Sequence, residues 1–174
     1  MINKKYSRVY VEITNICNRN CSFCPGTTRE KRRMTVEKFK IIADSLVGIT
    51  DYLYFHVMGE PLTHPELPEF VKLAGEKGYK SIITTNGTLL SKRGEELLSA
   101  GIHKINVSLH SFENGTEENH AKYIREISEF SKKAFLDDFI TGEYHMWYLY
   151  MIAVLYLVTP LIKVFTDNAT KKQL

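Results

Sequence analysis

Glu12-Ile13-Thr14-Asn15-Ile16-Cys17-Asn18-Arg19-Asn20-Cys21-Ser22-Phe23-Cys24-Pro25-Gly26 decides how this chain is to be read. It holds all 3 cysteines of a 174-residue sequence. An odd number packed so tightly is a poor disulfide framework and suits a reducing compartment with a metal or cluster. Three thiolates on one short loop can hold three irons of a four-iron cluster. The fourth iron then lacks a protein ligand, and an open position on a metal is where a substrate or cofactor binds. The rival is structural zinc, with a histidine such as His56 completing the set. Zinc motifs usually come as two close pairs, and no second pair is present.

Working outward, Val9, Val11 and Ile13 alternate with Tyr10, Glu12 and Thr14, so the cysteines follow a strand. Val36, Phe39, Ile42, Ala43 and Leu46 have helical spacing, with Thr35 placed to cap. Leu53, Phe55 and Val57 mark a second strand. Pro65 suits the first turn of a second helix with Phe70, Val71, Leu73 and Ala74 on its apolar face. A third strand is predicted near Tyr79 to Thr85. A third helix is capped by Ser91 and ends at Gly101. Ile105, Val107 and Leu109 form a fourth strand, and a fourth helix runs from about Thr116 to Ala134. Four consecutive βα units predict an α/β fold with a parallel sheet and helices on its outer face. One face of the strands is polar: Tyr10, Glu12 and Thr14; Tyr54 and His56; Asn106, Ser108 and His110. A parallel sheet covered on both faces would be apolar on both. The polar face therefore lines either a ligand cavity or open solvent.

At the cysteines the chain resembles the radical S-adenosylmethionine superfamily, whose signature is CxxxCxxC after the first barrel strand. Glu12 to Asn15 before the cysteines and Pro25-Gly26 after them share the resemblance. Further motifs follow in order at later strand ends: Met58-Gly59-Glu60-Pro61, Thr84-Thr85-Asn86-Gly87 and Val107-Ser108-Leu109-His110. Singly, Gly-Glu-Pro reads as a turn and Asn-Gly as a hairpin. The resemblance covers about residues 6–134 and implies an open parallel barrel. It also implies a [4Fe-4S] cluster on Cys17, Cys21 and Cys24, with S-adenosyl-L-methionine chelating the open iron. The implied reaction is reductive cleavage of that cofactor to a 5′-deoxyadenosyl radical, which takes a hydrogen atom from a substrate. By the same resemblance Phe23 lies beside the adenine, and Gly59 lets backbone approach the cofactor. Glu60 accepts from its ammonium, Thr85 and Asn86 lie by the ribose and substrate, and Ser108 meets the carboxylate. The nearest branch modifies peptides. A reduced electron donor such as flavodoxin or ferredoxin is the implied partner. For His110 a structural and a catalytic role both stay open; His64 and His103 are assigned to surface and turn.

The chain also departs from that family. Its core has six βα units and this sequence supplies four, so residues 1–134 read as a truncated core and 135–174 as an unrelated hydrophobic tail. No cysteine follows Cys24. Met146 to Ile162 is an uncharged run of seventeen residues, with Tyr144, Trp147, Tyr148 and Tyr150 near its start. It predicts a helix, either a single transmembrane span or a buried core helix. Residues of about 135–166 resemble a segment of the acyltransferase-3 membrane family, and no activity is carried over from it. Lys163, Lys171 and Lys172 favour a cytoplasmic C-terminus, which would put the cysteines outside, where a reduced cluster is hard to keep. That conflict predicts a truncated or joined reading frame. The competing readings are an enzyme, an inactive remnant and a membrane-anchored cluster-binding module. A net charge of +3 gives no footprint for nucleic acid, and the run Arg29, Lys31, Arg32, Arg33 reads as a solvated loop. The start, Met1 to Lys5, lacks the apolar stretch of a signal peptide. Cytoplasmic placement is expected, with membrane association through the tail as a further option.

Overall fold

The computed structural model describes residues 5–112 and 115–141. The alternating segments become four strands: β1 Val9–Tyr10, β2 Tyr52–Tyr54, β3 Lys80–Thr85 and β4 Lys104–Val107. They pair in parallel in the order β1-β2-β3-β4. Each is followed by a helix: α1 Val36–Ser45, α2 Leu67–Glu76, α3 Leu90–Ser99 and α4 Glu117–Thr141. Sequential parallel strands joined by helices are the arrangement that four βα units demand. β1 is shorter than its alternation predicts, but Val11 N–H still donates to the Tyr54 carbonyl at 2.8 Å. Beyond it, Thr14 bridges Arg33 in the antiparallel sense, so the chain returning from the cysteine loop covers that edge.

Register sorts the side chains by face. Val9 pairs with Leu53, Tyr10 with Tyr54, and Thr84 with Asn106. On the helix-covered face Val11, Leu53, Phe55 and Ile83 are buried against Phe39 and Ala43 of α1 and Phe70, Val71 and Ala74 of α2. Phe39 stacks on Phe70 at 4.8 Å between centroids and meets Phe55 edge-on at 5.4 Å. Each such ring contributes about 1.5–3 kcal/mol of burial. The Tyr79 hydroxyl donates to the Ala43 carbonyl at 2.7 Å, tying α1 to the start of β3.

Helix ends differ from the sequence expectation in three places. Thr35 does cap α1, accepting from Lys38 N–H at 3.3 Å. Ser91 does not cap α3; it lies inside the first turn, and Leu89 is the N-cap with no side-chain bond. Its hydroxyl instead faces Glu126 at 3.4 Å. Pro65 precedes α2, whose first turn takes Pro68, and a short 3-10 turn at Pro61–Thr63 comes between. α4 continues seven residues past Ala134 to Thr141, a stretch with no glycine or proline to break it. His64, assigned to the surface, is fully buried. His103 does lie in the turn before β4, where its N–H donates to the Ser81 carbonyl at 3.0 Å.

The chain divides into two compact units, residues 1–130 and 131–174. The first holds the whole sheet and α1 to α3. The second, as far as it is described, is the last part of α4. Among the described residues no helix is long and apolar enough to cross a membrane. The hydrophobic helix and membrane span expected at Met146 to Ile162 lie outside the described residues.

Candidate functional site

The C-terminal ends of parallel strands leave a crevice, and the chain's four motifs all arrive there. The cysteine loop follows β1. Cys17 and Cys24 are exposed, Cys21 is half-buried, and all three are free thiols. Cys24 N–H donates to the Cys21 carbonyl at 3.1 Å, and Arg19 N–H donates to Cys17 Sγ at 3.4 Å. Burial pushes the Cys17 thiol up, the Arg19 amide opposes this, and Glu60, Cys21 and Cys24 each add to the rise. A bound cation would reverse that repulsion on Cys17. Among the described residues no three Cys, His, Asp or Glu side chains converge tightly enough to hold an ion. The donor set of three soft thiols on one loop is the one an iron–sulfur cluster uses.

Gly59 and Glu60 follow β2. Gly59 has φ +80°, and a Cβ there would stand 2.7 Å from the Thr14 carbonyl oxygen and 2.8 Å from Asn15 C. Glycine is required because this turn presses on the backbone leading to the cysteines. Glu60 is 2% exposed. Its Oε1 accepts from Leu62 N–H at 3.0 Å and the Thr85 hydroxyl at 2.6 Å, and its Oε2 accepts from Asn86 N–H at 2.7 Å. A carboxylate has about four acceptor positions, so most of this one is committed to the chain itself. Burial holds Glu60 above the usual carboxylate range, against the pull of its three donors. Sequence reasoning offered Glu60 to a ligand's ammonium; its visible work is to clasp the end of β2 to the end of β3.

Thr85 and Asn86 close β3 and are both buried. Asn86 is held through its N–H by Glu60 and through its carbonyl by the Tyr123 hydroxyl at 2.7 Å. Ser108 follows β4, its N–H donating to the Thr85 carbonyl at 2.8 Å. Phe23, 53% exposed on the cysteine loop, meets the His110 ring past β4 at a tilt, with centroids 4.6 Å apart. The fold thus brings together the cysteine loop, Gly59, Asn86 and Ser108, with Glu60 and Thr85 beneath.

Two groups escaped the sequence reading. Glu12 forms a two-point ion pair with Arg29, at 2.7 and 2.8 Å, and accepts Met58 N–H at 3.2 Å. The Arg29 hydrogen bond holds Glu12 below the usual carboxylate range. Arg29 is therefore a partner in the site and not only a solvated cation. Arg93 on α3 donates to the carbonyls of Leu62, His64 and Pro65 at 2.7, 2.7 and 3.0 Å, fixing the segment after Glu60. No local pattern marks it, because its acceptors are backbone atoms about thirty residues away.

On the inner face of the sheet, Tyr10, Tyr54 and His56 pack ring to ring at 5.0 to 5.7 Å. His56 Nδ1 accepts Thr84 N–H at 3.1 Å, which leaves Nε2 to face the Thr84 hydroxyl at 3.1 Å. Burial lowers the pKa of His56, favouring the neutral ring these bonds require.

A family profile described as "Radical SAM superfamily" matches residues 11–137. The chain belongs to this superfamily. Among curated radical SAM proteins, the GTP 3′,8-cyclase of Chlorobaculum tepidum is 36% identical over 106 residues, covering 58% of this chain and 32% of that protein. The crystal structure of BtrN in complex with AdoMet and 2-DOIA superposes with a TM-score of 0.53 at 27% identity, over 68% of this chain and 55% of that one. Streptococcus suis SuiB bound to S-adenosylmethionine shares the fold, with a TM-score of 0.58 at 20% identity, over 74% and 32% of the two chains. The chain spans about a third of the length of the curated radical SAM relatives it matches most strongly. The resemblance of the tail to the acyltransferase-3 family gains no support, and the superfamily match ends at residue 137.

Proposed function

We propose that this chain is the cluster- and cofactor-binding part of a radical S-adenosylmethionine enzyme. The observation that carries the reading is the meeting, at one end of a parallel sheet, of three free thiols with Gly59, Asn86 and Ser108. Cys17, Cys21 and Cys24 would hold a [4Fe-4S] cluster, with Phe23 and the strand-end residues around the S-adenosyl-L-methionine. When bound, this pair supplies one-electron carbon–sulfur cleavage and hydrogen-atom abstraction. The chain's own part is to bind, orient and exclude water. Gly59 brings the backbone at the end of β2 down against the chain leading to Cys17. Glu60 and Thr85 shape the floor from below. Tyr10, Tyr54, His56, Thr84 and Asn106 line the inner face over which a substrate would lie, and their polar atoms suit a polar substrate such as a peptide. A reduced flavodoxin or ferredoxin is the electron donor this chemistry calls for.

The test is anaerobic reconstitution of the unaltered chain beside Cys17→Ala, Cys21→Ala and Cys24→Ala. Three thiolates are the minimum and no spare cysteine exists, so each variant should lose most iron and sulfide. Full iron and sulfide in any of the three would overturn the ligand assignment.

A further inference from the structure

Both flanks of Cys17 are held by hydrogen bonds to distant parts of the chain. On one side, the Ile16 carbonyl accepts Glu60 N–H at 2.8 Å. On the other, Asn18 belongs to a closed ring of side-chain hydrogen bonds with residues seventy positions away. Asn18 Nδ2 donates to Thr88 Oγ1 at 2.9 Å. The Thr88 hydroxyl donates to Asn86 Oδ1 at 2.7 Å, and Asn86 Nδ2 donates back to Asn18 Oδ1 at 2.9 Å. Thr88 N–H also donates to Asn86 Oδ1 at 3.0 Å, which fixes the orientation of that amide. Every donor in the ring points the same way round, so each group gives and accepts in turn, and such chains strengthen their members. Asn86 is itself immobilised through Glu60 and Tyr123.

We propose that Asn18 is a positioning residue: locked by Asn86 and Thr88, it sets Cys17 in place before the cluster arrives. This rests on the cluster assignment above and assigns a task to Asn18 and Thr88, which lie outside the cofactor set. The Asn86 side chain then faces the cysteine loop and secures it, in addition to whatever its surroundings do for the cofactor.

The experiment compares the full chain with Asn18→Ala, Thr88→Val and Thr88→Ser. Thr88→Val keeps the shape and removes the hydroxyl from the ring; Thr88→Ser restores it. In the metal-free chain, amide hydrogen exchange over residues 17–19 should rise in Asn18→Ala and Thr88→Val and stay unchanged in Thr88→Ser. After anaerobic reconstitution, iron loss to bathophenanthroline disulfonate should be roughly three- to tenfold faster in the first two, the effect of losing one or two hydrogen bonds of ordinary strength. The thermal midpoint should hold in all three, because the ring lies at the surface end of the strands. Unchanged exchange in the variants would overturn the clamp, and raised exchange with unchanged iron loss would overturn its bearing on Cys17. A fall in the thermal midpoint that tracked the iron loss would make the ring merely structural, again against the proposal. Failure of the unaltered chain to take up iron is a separate result, which would sink the proposed function and the positioning role with it, whatever the exchange data show.

Discussion

His64 shows how a single side chain can be misread from sequence and then constrain the protein's response to pH. It follows Thr63 in a polar turn, yet it is fully buried against Phe70, with ring centroids 4.8 Å apart. Its Nδ1 accepts Glu66 N–H at 3.2 Å, so its Nε2 carries the hydrogen that meets the Met34 carbonyl at 3.0 Å. A second proton on Nδ1 would face the Glu66 amide. Burial accordingly lowers the pKa of His64, as it does for His56. A base whose folded pKa is depressed contributes stability above its unfolded pKa, and that stability is lost as pH falls through the folded value. The fold should therefore lose stability as pH falls from about 6.5, the unfolded histidine value, toward about 5. Glu60, held above the carboxylate range, gives the opposite slope from the unfolded carboxylate value upward, which is why a variant is needed to isolate the histidine. His64→Gln keeps a donor and an acceptor and cannot titrate. Denaturant midpoints across that range should be flatter for the variant, and parallel curves would mean that His64 is not held neutral.

At the scale of elements, α3 and α4 meet through a glycine. Gly94 is buried in mid-helix, and a Cβ there would stand 2.2 Å from Phe130 Cε2. Glycine inside a helix costs about 1 kcal/mol relative to alanine, so propensity alone favours replacement. Overpacking costs about 1–3 kcal/mol, and the clash is with a ring that is itself 6% exposed. Gly94→Ala should therefore lower stability by about 1–2 kcal/mol net. Adding Phe130→Leu should recover part of the loss, since the two positions share one space. Thermal unfolding of the single and double variants checks this; a Gly94→Ala chain as stable as the original would mean that Phe130 does not sit over α3. The helices themselves were legible from their apolar spacing. Which of their residues must be small was not, because that depends on which helix lies alongside.

Over the whole molecule, the sheet, the cysteine loop and α1 to α3 all lie before Gly142, and α4 is described as far as Thr141. A chain of residues 1–141 should load as much iron as the full sequence and unfold as cooperatively, with a similar midpoint. Cutting at Ala134, where the sequence change suggests a boundary, would sever α4 and should do worse. Iron content and circular-dichroism melting of the three lengths distinguish these outcomes. If residues 1–141 lose iron, then residues 142–174 take part in the fold.

The sequence by itself determined the local order: period-two and period-3.6 patterns gave four βα units, and βα units admit a parallel sheet. It also determined the chemistry of the cysteine loop, since three thiols within eight residues need no partner elsewhere to be read as ligands. Tertiary structure alone decided what Glu60, Asn18, Arg29 and Arg93 do. The partners that decide this lie between seventeen and seventy residues away along the chain. Hydrogen bonds act over about 3 Å and ignore sequence distance. A carboxylate beside a glycine can clasp two strands, and only the position of β3 against β2 brings Glu60 to Thr85 and Asn86.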